Sequence, residues 1–139
     1  MAAASNRTDL GLFFIRFASA IVFLYHGSAI LFGAFGGPGP VQFSSYMHAP
    51  AIVGYLVGLA QFAGGLAILS GILFRVGAIS IMIVMLGAIF LVHLPHGFSV
   101  ASNGVEFALT EFLIALGLLL TGPGSLSLSS SLPESLRKM

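Results

Sequence analysis

The chain has 139 residues, of which 58% are hydrophobic and 6% charged; its net charge is +1 and it has no cysteine. A soluble domain carries about 25% charged residues, so a water-facing surface is excluded and lipid is the solvent that fits, while the length allows one domain. The near-neutral balance excludes an electrostatic footprint for nucleic acid, and the missing cysteines exclude a thiol–disulfide relay, a thiolate metal site and a covalently attached c-type haem.

Residues 1–9 read as a short N-terminal segment. Arg7 ahead of an apolar run, with Ala18-Ser19-Ala20 behind it, has the outline of a signal peptide. Arg16 splits its apolar core, however, and three more apolar segments follow, so the first segment reads as retained. A spanning helix needs about 20 apolar residues. The first such span covers about 10–31. The glycine- and proline-rich stretch from Gly33 to Pro40 then breaks it. Val41 to Pro50 reads as a small interfacial helix or a loop. The second span covers about 51–73, and Phe74-Arg75 reads as a tight turn. The third span covers about 76–94 and stops at Pro95. His96 to Gly104 is a polar connector, and the fourth span covers about 105–121, ended by Gly122-Pro123-Gly124. Residues 122–139 form a Ser- and Leu-rich tail expected to be poorly ordered.

The fold expected is therefore all-α: an integral membrane protein with a four-transmembrane-helix bundle over residues 10–121. Four spans place both termini on one side. The basic residues outside the spans, Arg7, Arg75, Arg137 and Lys138, fall at the termini and the second connector. The positive-inside rule then makes both termini cytoplasmic. Tyr25, Tyr46 and Tyr55 lie toward the outer end, where an amphipathic ring sits well.

Helices in lipid associate through close contact and polar links. Gly54, Gly58, Gln61 and Gly65 share one helical face of the second span and read as a packing seam, with Gln61 as a hydrogen-bonding link. Arg16 is the most costly residue to place in a bilayer. Glu111 on the fourth span lies within roughly 6 Å of its depth, and an Arg16–Glu111 ion pair is expected.

The candidate site lies at the outer end, where His26, His93, His96 and Glu106 fall at similar depth. Neutral imidazoles exchange protons near neutral pH, and such a set could hydrogen-bond a quinone head group. The proline-broken His93-Leu94-Pro95-His96 is not a metal signature, so no metal is expected. The bland alternative is that these groups cap helix ends and bond one another. His48 lies in the first connector and reads as solvated.

In this order and spacing, the chain resembles the DoxX family of membrane proteins. The resemblance rests on Arg16, His26-Gly27, Leu31-Phe32-Gly33, Gly64-Gly65-Leu66 and Gly71-Ile72-Leu73-Phe74-Arg75. It continues through His93-Leu94-Pro95, Gly97-Phe98, Gly104 with Glu106, and Thr121-Gly122-Pro123-Gly124. It implies a four-helix membrane bundle and an association with redox chemistry, the namesake group including a membrane subunit of a thiosulfate:quinone oxidoreductase. The chain departs from the family pattern at Gln61, where Glu is usual, at Ile30, where Lys is frequent, and at Ser125 and Ser129, where basic and acidic residues are usual. Gln cannot carry a proton as Glu does.

These losses favour a small accessory subunit that packs against other membrane subunits or forms a homo-oligomer within a larger redox or energy-transducing complex. A quinone-linked oxidoreductase subunit is the alternative, with quinone as the cofactor and a lipid-accessible cleft beside His26, His93 and Glu106. A small transporter is the third reading, opposed by helices filled with Leu, Ile and Phe and by the lack of paired repeats. The bilayer expected is a bacterial inner membrane.

Overall fold

The structure, a computed structural model, describes residues 2–134. Among the described residues every regular element is helical: α1 (Ala2–Phe32), α2 (Gly39–Tyr46), α3 (Ala51–Ser70), α4 (Phe74–Gly87) and α5 (Glu106–Thr121). A π-helical turn, Ala88–His93, and a 3-10 turn, Leu94–His96, extend α4. Among the described residues three helices are long and apolar enough to cross a membrane: Asn6–Phe32, Ala51–Ser70 and Phe74–His96. The 16 residues of α5 rise about 24 Å, short of a hydrocarbon core of about 30 Å.

The residues of the first connector explain its shape. Gly33, Gly36 and Gly39 all take positive φ, a conformation that costs glycine little, and the chain doubles back after α1. Pro38 and Pro40 then sit at the start of α2, where a missing N–H is no loss. α3 has no capping side chain of its own at Pro50. Ser44 of α2 serves instead: its hydroxyl accepts from the Gly54 N–H at 2.7 Å and lies 3.2 Å from the Ala51 carbonyl. α2 is thereby riveted to the start of α3.

The second connector falls earlier than the sequence suggests. α3 ends at Ser70 and Gly71 caps it at φ 81; Leu73 takes φ 51, and Phe74 already opens α4. A left-handed glycine just past the last turn is the ordinary way to stop a helix.

α1 packs along α3, α3 along α4 and α4 along α5, and α5 returns to touch α1. The small residues make this approach close. A Cβ on Gly27 would come within 2.5 Å of the Phe62 backbone, and one on Gly77 within 2.5 Å of the Ala67 Cβ. The core between the helices holds Phe23, Ile68, Phe74, Ile81, Met85 and Leu118. The outer surface is as apolar as the core, with Leu91 and Leu120 about three-quarters exposed at 74% and 76%. Such a surface suits a solvent of lipid tails.

The tail after α5 is not the poorly ordered segment expected. Asp9 near the start of α1 accepts from the Ser125 N–H at 3.0 Å and from the Ser125 hydroxyl. Ser129 is buried and bonded to Ser127. The segment is held because its carbonyls have a buried partner, Arg16. Residues 135–139, with Arg137 and Lys138, lie outside the described residues.

Candidate functional site: an apolar cavity beneath the outer rim

Arg16 sets the end of the bundle where α1 begins and α5 ends. It is 1% exposed. Its Nε donates to the Ile68 carbonyl at 2.9 Å, and Nη2 donates to Leu69 at 2.6 Å. Nη1 donates to Pro123 at 2.6 Å and to Leu126 at 2.9 Å. The guanidinium carbon lies 5.9 Å from the Phe74 ring centroid. The expected Arg16–Glu111 ion pair is therefore corrected. The last carbonyls of a helix have no partner within it, and the α3 end lies within reach of the five-donor fork. One turn further along α1, Ser19 donates to Glu111 Oε2 at 2.8 Å, so the carboxyl is engaged by a hydroxyl.

Above this layer the helices separate and enclose a cavity of about 960 Å³. Its walls come from α1, α3 and α4 with its π turn, α2 closes part of the roof, and α5 and the α4–α5 connector complete the rim. The lining is mostly apolar, with His26, Tyr46, Gln61, Ser80, His93 and Asn103 as its side chains bearing polar atoms. A site of this size, mostly apolar with a few placed polar groups, is the usual form of a small-molecule pocket.

Gln61 is the polar residue set deepest. It is 6% exposed. Among the described residues its amide has no hydrogen-bond partner in the chain, and it opens onto the cavity. The expectation of Gln61 as a hydrogen-bonding link between helices is thereby corrected: the space before it is the cavity, not a neighbouring helix. The seam glycines divide their partners. A Cβ on Gly58 would meet Ile30 and Leu31 at 3.1 Å, and one on Gly65 would meet Leu24 at 3.1 Å, both on α1. One on Gly54 would fall 2.0 Å from the Pro40 carbonyl oxygen of α2.

The outer cluster splits. His26 and His93 both line the cavity. His93 Nδ1 lies 2.7 Å from the Asn103 carbonyl. That oxygen can only accept, so Nδ1 carries the proton and the neutral ring leaves Nε2 as an acceptor. Asn103 holds its carbonyl there from a left-handed turn at φ 63. His26 packs edge-on against Tyr25 at 5.4 Å between centroids and lies 6.2 Å from Phe107.

His96 and Glu106 do not belong to the cavity lining, a correction to the expected four-residue cluster. His96 Nδ1 lies 2.9 Å from the Val92 carbonyl, and Glu106 Oε2 accepts from the Val100 N–H at 2.7 Å. Both serve the connector: unpaired N–H and C=O groups at its helix ends need partners, and these side chains supply them. Backbone bonds from Val105 to Gly97 and from Glu106 to Phe98 also fix the rim. His48 is exposed at φ 50.

Sequence reasoning missed the depth of Gln61 in the cavity, the contribution of Ser80 and Asn103, and the π turn that brings Leu91, Val92 and His93 to one wall. A π turn adds a residue to a helical turn and is frequent at functional sites; an unbroken apolar run gives no signal for it. Among the described residues no three His, Asp or Glu side chains gather closely enough to hold a metal ion.

The family model described as DoxX matches residues 11–94. The curated protein named "Putative oxidoreductase CatD", from Bacillus subtilis (strain 168), is 26% identical over 120 residues, covering 86% of this chain and 85% of that protein. No solved structure matches.

Proposed function

The chain belongs to the DoxX family, and from that premise we propose that it is a small membrane subunit of a redox complex that contributes a quinone-binding site. The observation that carries this reading is the cavity of about 960 Å³ lined by His26, His93 and Gln61, the last 6% exposed with its amide facing the cavity and bonded to nothing in the described chain. The name of the Bacillus relative supports the redox association.

The cavity residues suit a flat ring with oxygens at its edge. The Gln61 amide both donates and accepts, so it can meet either a carbonyl or a hydroxyl. His93 Nε2 accepts, and its ring is held in that tautomer by Asn103. Phe23, Met85 and Phe107 supply apolar and aromatic faces against which a ring can pack. When bound, a quinone supplies the capacity to take up electrons and protons in equal number. The chain has no cysteine, so the reading assigns electron supply to a partner subunit, while this chain binds and orients.

The membrane arrangement that goes with this reading has α5 as a fourth span and both termini on the cytoplasmic side of a bacterial inner membrane. Support for a fourth span comes from the apolar face of α5, where Leu113 and Leu120 are exposed. Arg7 and Arg75 lie at the end where Arg16 binds the tail, as the positive-inside rule requires of a cytoplasmic face.

Purified chain in lipid nanodiscs, titrated with menadione against empty nanodiscs, tests the site. Saturable binding is expected, and Gln61→Leu should weaken it about tenfold, the equivalent of one well-made hydrogen bond. Absence of saturable binding would defeat the reading. Solubilisation in mild detergent followed by native electrophoresis tests the partner: migration within a larger complex is expected, and a lone small oligomer would remove that part.

A further inference from the structure

A second, smaller hollow of about 320 Å³ lies on the lipid-facing side of α3 and α4. Leu56, Ala60 and Ser80 line both it and the main cavity, so the two hollows adjoin at these residues. From Leu56 the smaller hollow follows Leu59, Ala63 and Ala67 along α3 to Leu73 and Val76 at the α3–α4 turn. At about 1.5 Å per residue, the path from Leu56 to Ala67 is roughly 16 Å long. The groove exists because the facing residues are small: Gly64 lies against Ser80 and Ile81, and Gly77 against Ala67. The groove has no polar side chain except Ser80, whose hydroxyl is occupied by the Gly77 carbonyl at 2.8 Å.

We propose that this groove seats the hydrocarbon tail of an amphiphilic ligand whose ring end lies in the main cavity, so that the site selects tailed, lipid-dissolved quinones entering from the side along the α3–α4 face. This rests on the quinone reading above and adds the entry route and the class of tail. Three features of the molecule point to one elongated ligand. The Gln61 amide faces the cavity with no partner in the described chain and marks the polar end. The shared walls at Leu56, Ala60 and Ser80 set that end directly beside the groove. The groove itself is apolar and opens to the lipid, where a tail costs nothing to leave exposed. Lipid tails are as apolar as leucine, so the groove adds no hydrophobic driving force for the tail. Its contribution is shape: it fixes the tail's direction and thereby the ring's.

The test uses a naphthoquinone carrying a diazirine at the end of a phytyl-length tail, photolysed with the chain in nanodiscs, with excess phylloquinone as competitor. Competed labelling is expected on the 59–76 segment. Ala63→Phe, which fills the groove, should cut that labelling about tenfold while menadione, the same ring without a tail, binds within about twofold of the unmodified chain. Ile79→Phe on the exposed face of α4, outside the groove lining, is the control and should change neither. Competed labelling elsewhere with menadione binding intact would overturn the tail route and leave the quinone site standing. Unchanged labelling in Ala63→Phe would also overturn it. Failure of menadione itself to bind would remove the underlying reading, and the tail route with it.

Discussion

The Arg16 guanidinium and the Pro123 carbonyl lie 2.6 Å apart, joining the inner half of the first helix to the first turn beyond the last. The same side chain also binds Leu126 and both terminal carbonyls of α3, at Ile68 and Leu69. One cation thus satisfies two last-turn carbonyls of α3 that have no helical donor left and two carbonyls of the segment beyond α5. Hydrogen bonds to charged groups contribute about 1.5–3 kcal/mol each in favourable cases, and they are not additive. Arg16→Ala is expected to lower stability by about 3 kcal/mol or more in detergent-based unfolding. It should also free the segment after Gly122 for proteolysis before the bundle opens. Arg16→Lys should recover only part, because an ammonium lacks the fork that reaches both helix ends. Equal protease resistance in Arg16→Ala and the unmodified chain would contradict the clamp.

The layer above the clamp makes a different kind of prediction. Ser19 is 1% exposed and Glu111 6% exposed, and the hydroxyl donates to the carboxyl. Ser19→Ala leaves a buried oxygen without that donor, which costs about 1–3 kcal/mol. Glu111→Gln keeps an acceptor for Ser19 and is expected to change stability by less than about 1 kcal/mol. Thermal unfolding of the two single variants and the double variant would measure this. Were Glu111→Gln as costly as Ser19→Ala, an ionic role for the carboxyl would be indicated.

The apolar runs and their breaks were readable in advance because a helix in lipid must be both long and continuously apolar. Gly33 to Pro40 and Gly122 to Gly124 fall where helices stop. The partners of Arg16 were not readable. A backbone carbonyl carries no sequence signature, whereas Glu111 does, so pattern reasoning chose the visible acceptor. Residues 125–131 read as part of a poorly ordered tail for a related reason: their order comes from Asp9 and Arg16, over a hundred positions away. Of the site, His26 and His93 were legible as polar groups at matched depth. That Gln61 faces a cavity was not, since a face of α3 shared with Gly58 and Gly65 says that something lies close, and only the tertiary arrangement shows the gap. Glu106 and His96 had the right depth too, yet the connector's own N–H and C=O groups claimed them.

Glycine substitutions separate packing from helix propensity. A Cβ on Gly27 would sit 2.5 Å from the Phe62 nitrogen, and one on Gly54 2.0 Å from the Pro40 oxygen. Both neighbours are backbone and cannot rotate away. Gly27→Ala and Gly54→Ala are expected to cost about 1–3 kcal/mol as the helices are forced apart. Gly117 on α5 has nothing within 4 Å of its Cβ position. Gly117→Ala should stabilise by up to about 1 kcal/mol through propensity alone. Parallel thermal melts of the three variants check the sign of each change, and the opposite order would mean that the α1–α3 seam is not close-packed.

His93 gives the sharpest chemical prediction because its tautomer is fixed. With Nδ1–H held on the Asn103 carbonyl, Nε2 in the neutral ring accepts and does not donate. An acceptor pairs with the hydroxyl of a hydroquinone and has nothing to offer the carbonyl of the quinone. His93→Phe keeps a ring in the wall and removes the acceptor. It is expected to weaken binding of the reduced form about tenfold, one hydrogen bond's worth, and to change binding of the oxidised form much less. The bound couple should then become harder to reduce, its midpoint potential shifting downward. Ile79→Phe, on the exposed face of α4 and outside the cavity lining, serves as the control and should change neither. Titration of menadione and its reduced form into nanodiscs under reducing and oxidising conditions measures both. Equal losses for the two forms in His93→Phe would show that the ring acts by shape and that Nε2 is not the contact.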